Sequence, residues 1–123
     1  MQKPALIFDA HLDMSWNALE FNRDLMLPVA EIREFEKQFT EINPGDATCS
    51  WVELQRGRVG MTISTLLPRL HRKDAELTHY QSRESAYGIC HGQLAYYRAM
   101  VERGVLREIA DKDTLDEHVA AWE

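Results

Sequence analysis

The sequence predicts an α/β fold with parallel strands, on three observations. Two apolar runs, residues 5–8 and 59–67, are separated and followed by helix-patterned sequence. Strands that alternate with helices favour parallel β/α units. The second run is β-branched and almost continuously apolar, as suits a strand covered on both faces. The third observation is size. A (β/α) barrel takes about 250 residues, and the 123 residues here hold two strands, which alone leave open edges and bare faces. The expectation is an N-terminal portion of a larger α/β fold.

Taken in order, the first strand is expected over residues 5–8, leading into the polar exit Asp9-Ala10-His11-Leu12-Asp13. Residues two apart in a strand share a face, so Asp9, His11 and Asp13 are expected to point the same way. Residues 14–23 show no clear period and read as a long loop over a site. From Pro28 a helical pattern begins, with Val29, Ile32, Phe35 (or Glu36 on the neighbouring row) and Phe39 at three- and four-residue spacing. Asn43-Pro44-Gly45-Asp46 is a turn that stops it. Ser50 and Glu53 fit a capping box, and Gly57 fits the residue just past the short helix that follows.

The second strand is expected over residues 59–67, ended by Pro68 and followed by a charged loop over 69–77. Residues 78–103 form the longest helix. Its apolar stripe is Tyr87, Cys90, Leu94, Tyr97 and Val101, which at that spacing reads as core packing and not as a ligand wall. Gly88 and Gly92 interrupt it, and Gly104 is the stop. Residues 105–109 fit either regular state. The last helix opens at Asp113-Thr114, with Glu117 completing a capping box and Leu115, Val119 and Trp122 as its apolar face.

Composition narrows the function classes. A net charge of −6 without a Lys/Arg stripe argues against nucleic acid, whose binding is dominated by phosphate neutralisation. Apolar runs are short and interrupted by charges, so no membrane segment is expected, and the N-terminus carries no secretion signal. A cytoplasmic location follows as the expectation. Cys49 and Cys90 lack C-x-x-C spacing and read as free packing thiols.

His11-x-Asp13 is the motif with chemistry in it. Neutral imidazole and carboxylate together suit zinc, and on a strand the spacing converges both on one point. Spacing alone leaves two readings, a metal-holding strand end or an ordinary polar one. Asp9 reads as an acceptor for nearby backbone amides before it reads as a ligand. His71 follows the second strand and so falls on the same sheet edge, but Arg72 and Lys73 flank it as in a solvated loop. His79, His91 and His118 read as surface or half-buried histidines. Trp16, Trp51 and Trp122 define no stacking platform.

Asp9-Ala10-His11-Leu12-Asp13 resembles the D-x-H-x-D opening of the membrane (renal) dipeptidase family, the M19 metallopeptidases. Residues 50–60, Ser-Trp-Val-Glu-Leu-Gln-Arg-Gly-Arg-Val-Gly, resemble the short helix, turn and second-strand entry of that family in the correct order. The resemblance implies a (β/α)8 TIM-like barrel of amidohydrolase type, about two β/α units of which are present, as one domain with no second. It implies zinc-dependent hydrolysis of dipeptides at a site of two zinc ions. His11 and Asp13 match the family's first metal ligands; the bridging glutamate and later histidines belong to strands that match nothing here. Residues 1–123 alone are expected to bind metal weakly and to show no peptidase activity. Another amidohydrolase-like metal hydrolase acting on small amides stays open, as does a non-catalytic α/β binding domain. Bare strand faces also leave room for a homo-oligomer.

Overall fold

The computed structural model describes residues 5–39, 45–69 and 80–122. The elements run β1 (Ile7–Leu12), α1 (Met14–Glu20), α2 (Val29–Glu36), α3 (Trp51–Arg56), β2 (Val59–Ser64), α4 (Arg83–Glu102) and α5 (Lys112–Ala121). Among the described residues β1 and β2 form a two-stranded parallel sheet, so the α/β class and the parallel pairing both hold. No helix among these residues is long and apolar enough to cross a membrane. Asn43 and Pro44 of the expected turn, residues 70–77 of the expected loop, and Thr78 at the expected start of the long helix lie outside the described residues.

Ile7 pairs with Val59, Phe8 with Met61, Asp9 with Thr62 and Leu12 with Ser64. The register slips twice, once at Gly60 on β2 and once between Asp9 and Leu12 on β1. Bulges of this kind re-aim side chains at strand ends. The first has a visible cause. The Trp122 ring lies on Gly60 so closely that a Cβ there would stand 2.9 Å from three ring atoms. His118, one turn earlier on α5, donates Nε2–H to the Gly60 carbonyl at 2.8 Å. Helix α5 therefore docks through His118 and Trp122, while Leu115 and Val119 stay open to solvent, which corrects the apolar face expected of it.

The loop expected over residues 14–23 is instead largely helical, as α1. Met14, Ser15 and Ala18 fall on one face and are buried, the i, i+1, i+4 pattern of a helix packed along one stripe. The core lies beside the sheet and consists of Met14, Ala18, Leu25, Ile32, Ala47, Trp51, Tyr97 and Met100. Burying each large apolar side chain contributes roughly 1.5–3 kcal/mol. Helix α4 packs through Gln93, Tyr97 and Met100: Tyr97 is buried as expected, Gln93 and Met100 take the places expected of Leu94 and Val101, and Tyr87 at its open end is 68% exposed. Helix α2 ends at Glu36, so Phe39 lies past it.

Several ends are legible in local chemistry. Ser50 accepts from Glu53 N at 3.3 Å, but the Glu53 carboxylate turns forward to Arg56 instead of back to the cap. Ser82 caps α4 by accepting from Ser85 N at 3.0 Å. Gly104 takes φ +72°. There Val105 N donates to Met100 O and Gly104 N to Val101 O, the paired bonds of a Schellman stop. Gly57 does not serve that way. Its φ is −76°, and the left-handed residue is Arg58 at +57°. Arg58 O then accepts from Ile7 N at 3.1 Å, so the reversal falls where the first link to β1 is made. The cap of helix α5 lies three residues earlier than expected, with Asp111 and Thr114 as the reciprocal capping pair in place of Thr114 and Glu117.

Candidate metal centre

Strand β1 delivers His11 and Asp13 to its carboxyl end. His11 Nε2 stands 3.3 Å from Asp13 Oδ1, with side chains 73% and 25% exposed. That separation is long for an N–H···O hydrogen bond, whose mode is about 2.9–3.0 Å. It matches the edge of a tetrahedron: two donors each about 2.1 Å from a zinc ion stand about 3.4 Å apart. The exposed imidazole meets solvent while the carboxylate is held from behind. The pair thus supplies two ligands of the kinds zinc takes, one fewer than a catalytic zinc normally has from protein.

Asp9 takes the role expected of it. Its Oδ1 accepts from His11 N at 3.0 Å, which uses the carboxylate locally and holds the bulged backbone that carries the imidazole. The expected shared strand face of Asp9, His11 and Asp13 does not carry through, because the register slips between Asp9 and Leu12 and Asp13 lies past the strand; His11 and Asp13 nevertheless meet, with Asp9 bonded to the His11 backbone. His91 is exposed and lies against Tyr87, the rings tilted and their centroids 4.3 Å apart. His118 is engaged at Gly60, near the amino end of β2. His71 and His79 lie outside the described residues. Among the described residues no group of three or more His, Cys, Asp or Glu is arranged to hold a metal ion.

Several residues around Asp13 carry no motif. Thr65, just past β2, donates Oγ1–H to Asp13 Oδ1. Ser15 Oγ and Tyr97 OH both donate to the Thr65 carbonyl, at 3.4 and 3.2 Å, and Ser15 N donates to Tyr97 OH at 3.1 Å. On the other side, Asn17 Nδ2 donates to Asp13 O at 2.9 Å. Asn17 Oδ1 accepts from Arg23 at 2.6 Å, and Arg23 Nε pairs with buried Glu36 at 2.5 Å. Glu36 Oε2 accepts from Gly45 N and Ala47 N at 3.1 and 3.3 Å. The strand end thus sits between a hydroxyl clamp and a polar chain that reaches α2.

Helix α1, which closes one side, is itself held by Tyr80 and Arg69. The Tyr80 hydroxyl donates to Glu20, and the Arg69 guanidinium lies 4.4 Å over the Trp16 ring. Burial, with the hydrogen bond to the Glu20 carboxylate, pushes the Tyr80 phenol up to about 12. A raised pKa favours the neutral form in the folded state. Its stabilisation is fully present below pH 10 and is lost as pH rises from 10 to about 12. In a tyrosinate absorbance titration Tyr80→Phe is expected to remove the step near pH 12, while the Tyr96 phenol, raised first by burial, still titrates late. Persistence of that step in the variant would assign it to another phenol. The Cys49 thiol is shifted upward, first by burial, against a lowering hydrogen bond to the Ser50 backbone, which suits a packing thiol and not a nucleophile.

No protein-family model, curated protein or solved structure matches the chain.

Proposed function

We propose that the chain carries the first ligand pair of a zinc-dependent hydrolase of the membrane (renal) dipeptidase kind, acting on dipeptides from a (β/α)8 barrel of amidohydrolase type. The observation that carries the reading is the His11 Nε2–Asp13 Oδ1 separation of 3.3 Å at the carboxyl end of a parallel strand, the edge where barrels keep their chemistry. Parallel β1 and β2, joined through helices, have the order of neighbouring β/α units. Ile7, Phe8 and Ile63 are 48%, 54% and 54% exposed. Apolar strand residues left this bare support a sheet that continues and is covered by further elements.

In this reading zinc supplies, when bound, a Lewis acid and a water acidified to near neutrality. The residues present bind and orient. His11 offers an accessible imidazole nitrogen, Asp13 a carboxylate oxygen, and Asp9 fixes the backbone of His11. A catalytic zinc usually has three protein ligands, so the pair binds weakly without donors from further strands.

Cobalt(II) titration, followed by ligand-field absorbance and backbone amide shifts, tests the proposal. Uptake is expected at one weak site, with shifts centred on His11, Asp13 and Thr65. His11→Ala and Asp13→Ala are each expected to weaken it by more than about a hundredfold, beyond the ~10–100-fold that loss of an outer partner costs. Absence of uptake, or uptake indifferent to both substitutions, would remove the metal reading.

A further inference from the structure

We infer that Thr65 is a positioning residue for the metal site, its hydroxyl, just past β2, fixing the Asp13 carboxylate, just past β1, in the orientation that meets His11. The inference rests on the metal reading of His11 and Asp13 and adds to it a residue that no motif marks. Thr65 Oγ1 has one proton and two acceptors nearby. Leu12 O is 3.4 Å away, long for an O–H···O bond, which runs 2.5–3.0 Å. Asp13 Oδ1 is far closer and takes the proton. A carboxylate oxygen has two lone-pair sites, so Oδ1 can accept from Thr65 and still present an electron pair beside His11 Nε2.

What makes Thr65 a clamp is how its own backbone is held. Its N–H donates to Leu12 O at 3.3 Å, and its carbonyl accepts from both Ser15 Oγ and Tyr97 OH. Two residues on, Leu67 is gripped by Gln93 through a bond in each direction, Leu67 N to Oε1 at 2.6 Å and Nε2 to Leu67 O at 3.1 Å. Tyr97 and Gln93 lie one turn apart on α4. The helix therefore fixes the extended chain past β2 at two points and sets the threonine backbone. A β-branched side chain then has little χ1 freedom left, so the hydroxyl direction follows from the backbone. Oriented hydrogen bonds to ligating carboxylates are the usual means of setting ligand geometry, and losing one costs about 10–100-fold in metal affinity.

The test compares wild type, Thr65→Val and Thr65→Ser in the cobalt titration, with Asp13 side-chain couplings measured by NMR without metal. Valine keeps the shape and removes the hydroxyl; serine keeps the hydroxyl. Thr65→Val is expected to weaken cobalt at least tenfold, to alter the ligand-field spectrum and to average the Asp13 χ1 couplings, whereas Thr65→Ser restores the wild-type spectrum. Thr65→Val with wild-type affinity and an unaveraged Asp13 would overturn the inference and leave the metal reading standing. A wild-type chain that takes up no cobalt would overturn the metal reading, and the inference with it. Should the valine variant unfold, the serine variant decides: wild-type affinity with a single Asp13 rotamer supports the clamp, and wild-type affinity with averaged couplings overturns it.

Discussion

Replacing Glu36 with leucine is expected to destabilise the fold by about 3–5 kcal/mol, the cost of breaking a buried ion pair from one side. Glu36 and Arg23 are both buried, with Nε and Oε1 2.5 Å apart. Loss of the carboxylate leaves the guanidinium without its counter-charge in a poorly solvated place, and leaves Gly45 N and Ala47 N without their acceptor. Urea denaturation measures the loss as a fall in midpoint at unchanged slope. The double variant Arg23→Met, Glu36→Leu is expected to recover much of the stability, because removing both charges abolishes the desolvation problem that removing one creates. A loss under about 1 kcal/mol for Glu36→Leu would mean that the pair is screened as surface pairs are. The effect reaches the candidate site, since Arg23 holds Asn17 and Asn17 holds the Asp13 carbonyl. The variant should therefore also weaken cobalt binding.

The second large effect is expected at Gln93. Its side chain has no solvent exposure, and its amide serves both backbone groups of Leu67. Leucine at this position matches the apolar surroundings but leaves a peptide N–H and a carbonyl unpaired, at about 1–3 kcal/mol for each group that stays buried. A total of about 2–4 kcal/mol is expected, together with much faster hydrogen exchange at the Leu67 amide. Glutamate offers the acceptor without the paired donor, so Gln93→Glu should restore protection of the Leu67 amide only in part. An exchange rate at Leu67 that ignores both substitutions would show that the contact does not hold the segment.

These two residues also mark where sequence pattern stops being informative. The second strand, the Ser50 cap and the Gly104 stop were legible because each rests on neighbours in sequence: a β-branched run, a hydroxyl three residues before an amide, a residue free to take positive φ. Helix α1 was hidden because its buried face is short and includes Ser15, while its first residue follows Asp13, whose carboxylate is drawn away to Thr65 in place of capping the helix. The stripe of α4 was right at Tyr97 and wrong on either side of it, in part because one buried position is a glutamine. A hydropathy pattern discards Gln93 as a surface residue, and only the position of Leu67 makes it a core one. Gly57 misled for a related reason: the docking of β2 on β1 puts the left-handed turn at Arg58.

The candidate site divides in the same way. His11 and Asp13 could be singled out as candidates because they are two residues apart at the end of one apolar run, although Asp13 falls past the strand, at the cap of α1. Thr65, Asn17, Arg23 and Glu36 could not. Threonine after a β-branched run is ordinary, and a buried Arg–Glu pair leaves no mark in local sequence because its partners are brought together by the turns between them.

The parallel register of β1 and β2 has a consequence for the order of assembly. No hairpin can join parallel strands, so Ile7 meets Val59 only after the intervening helices have drawn a long loop closed, and such non-local pairing is the slow part of folding. His11 and Asp13 are close in sequence and reach each other early. Thr65 arrives with β2, so a growing chain has its two donors well before it has the hydroxyl that orients one of them.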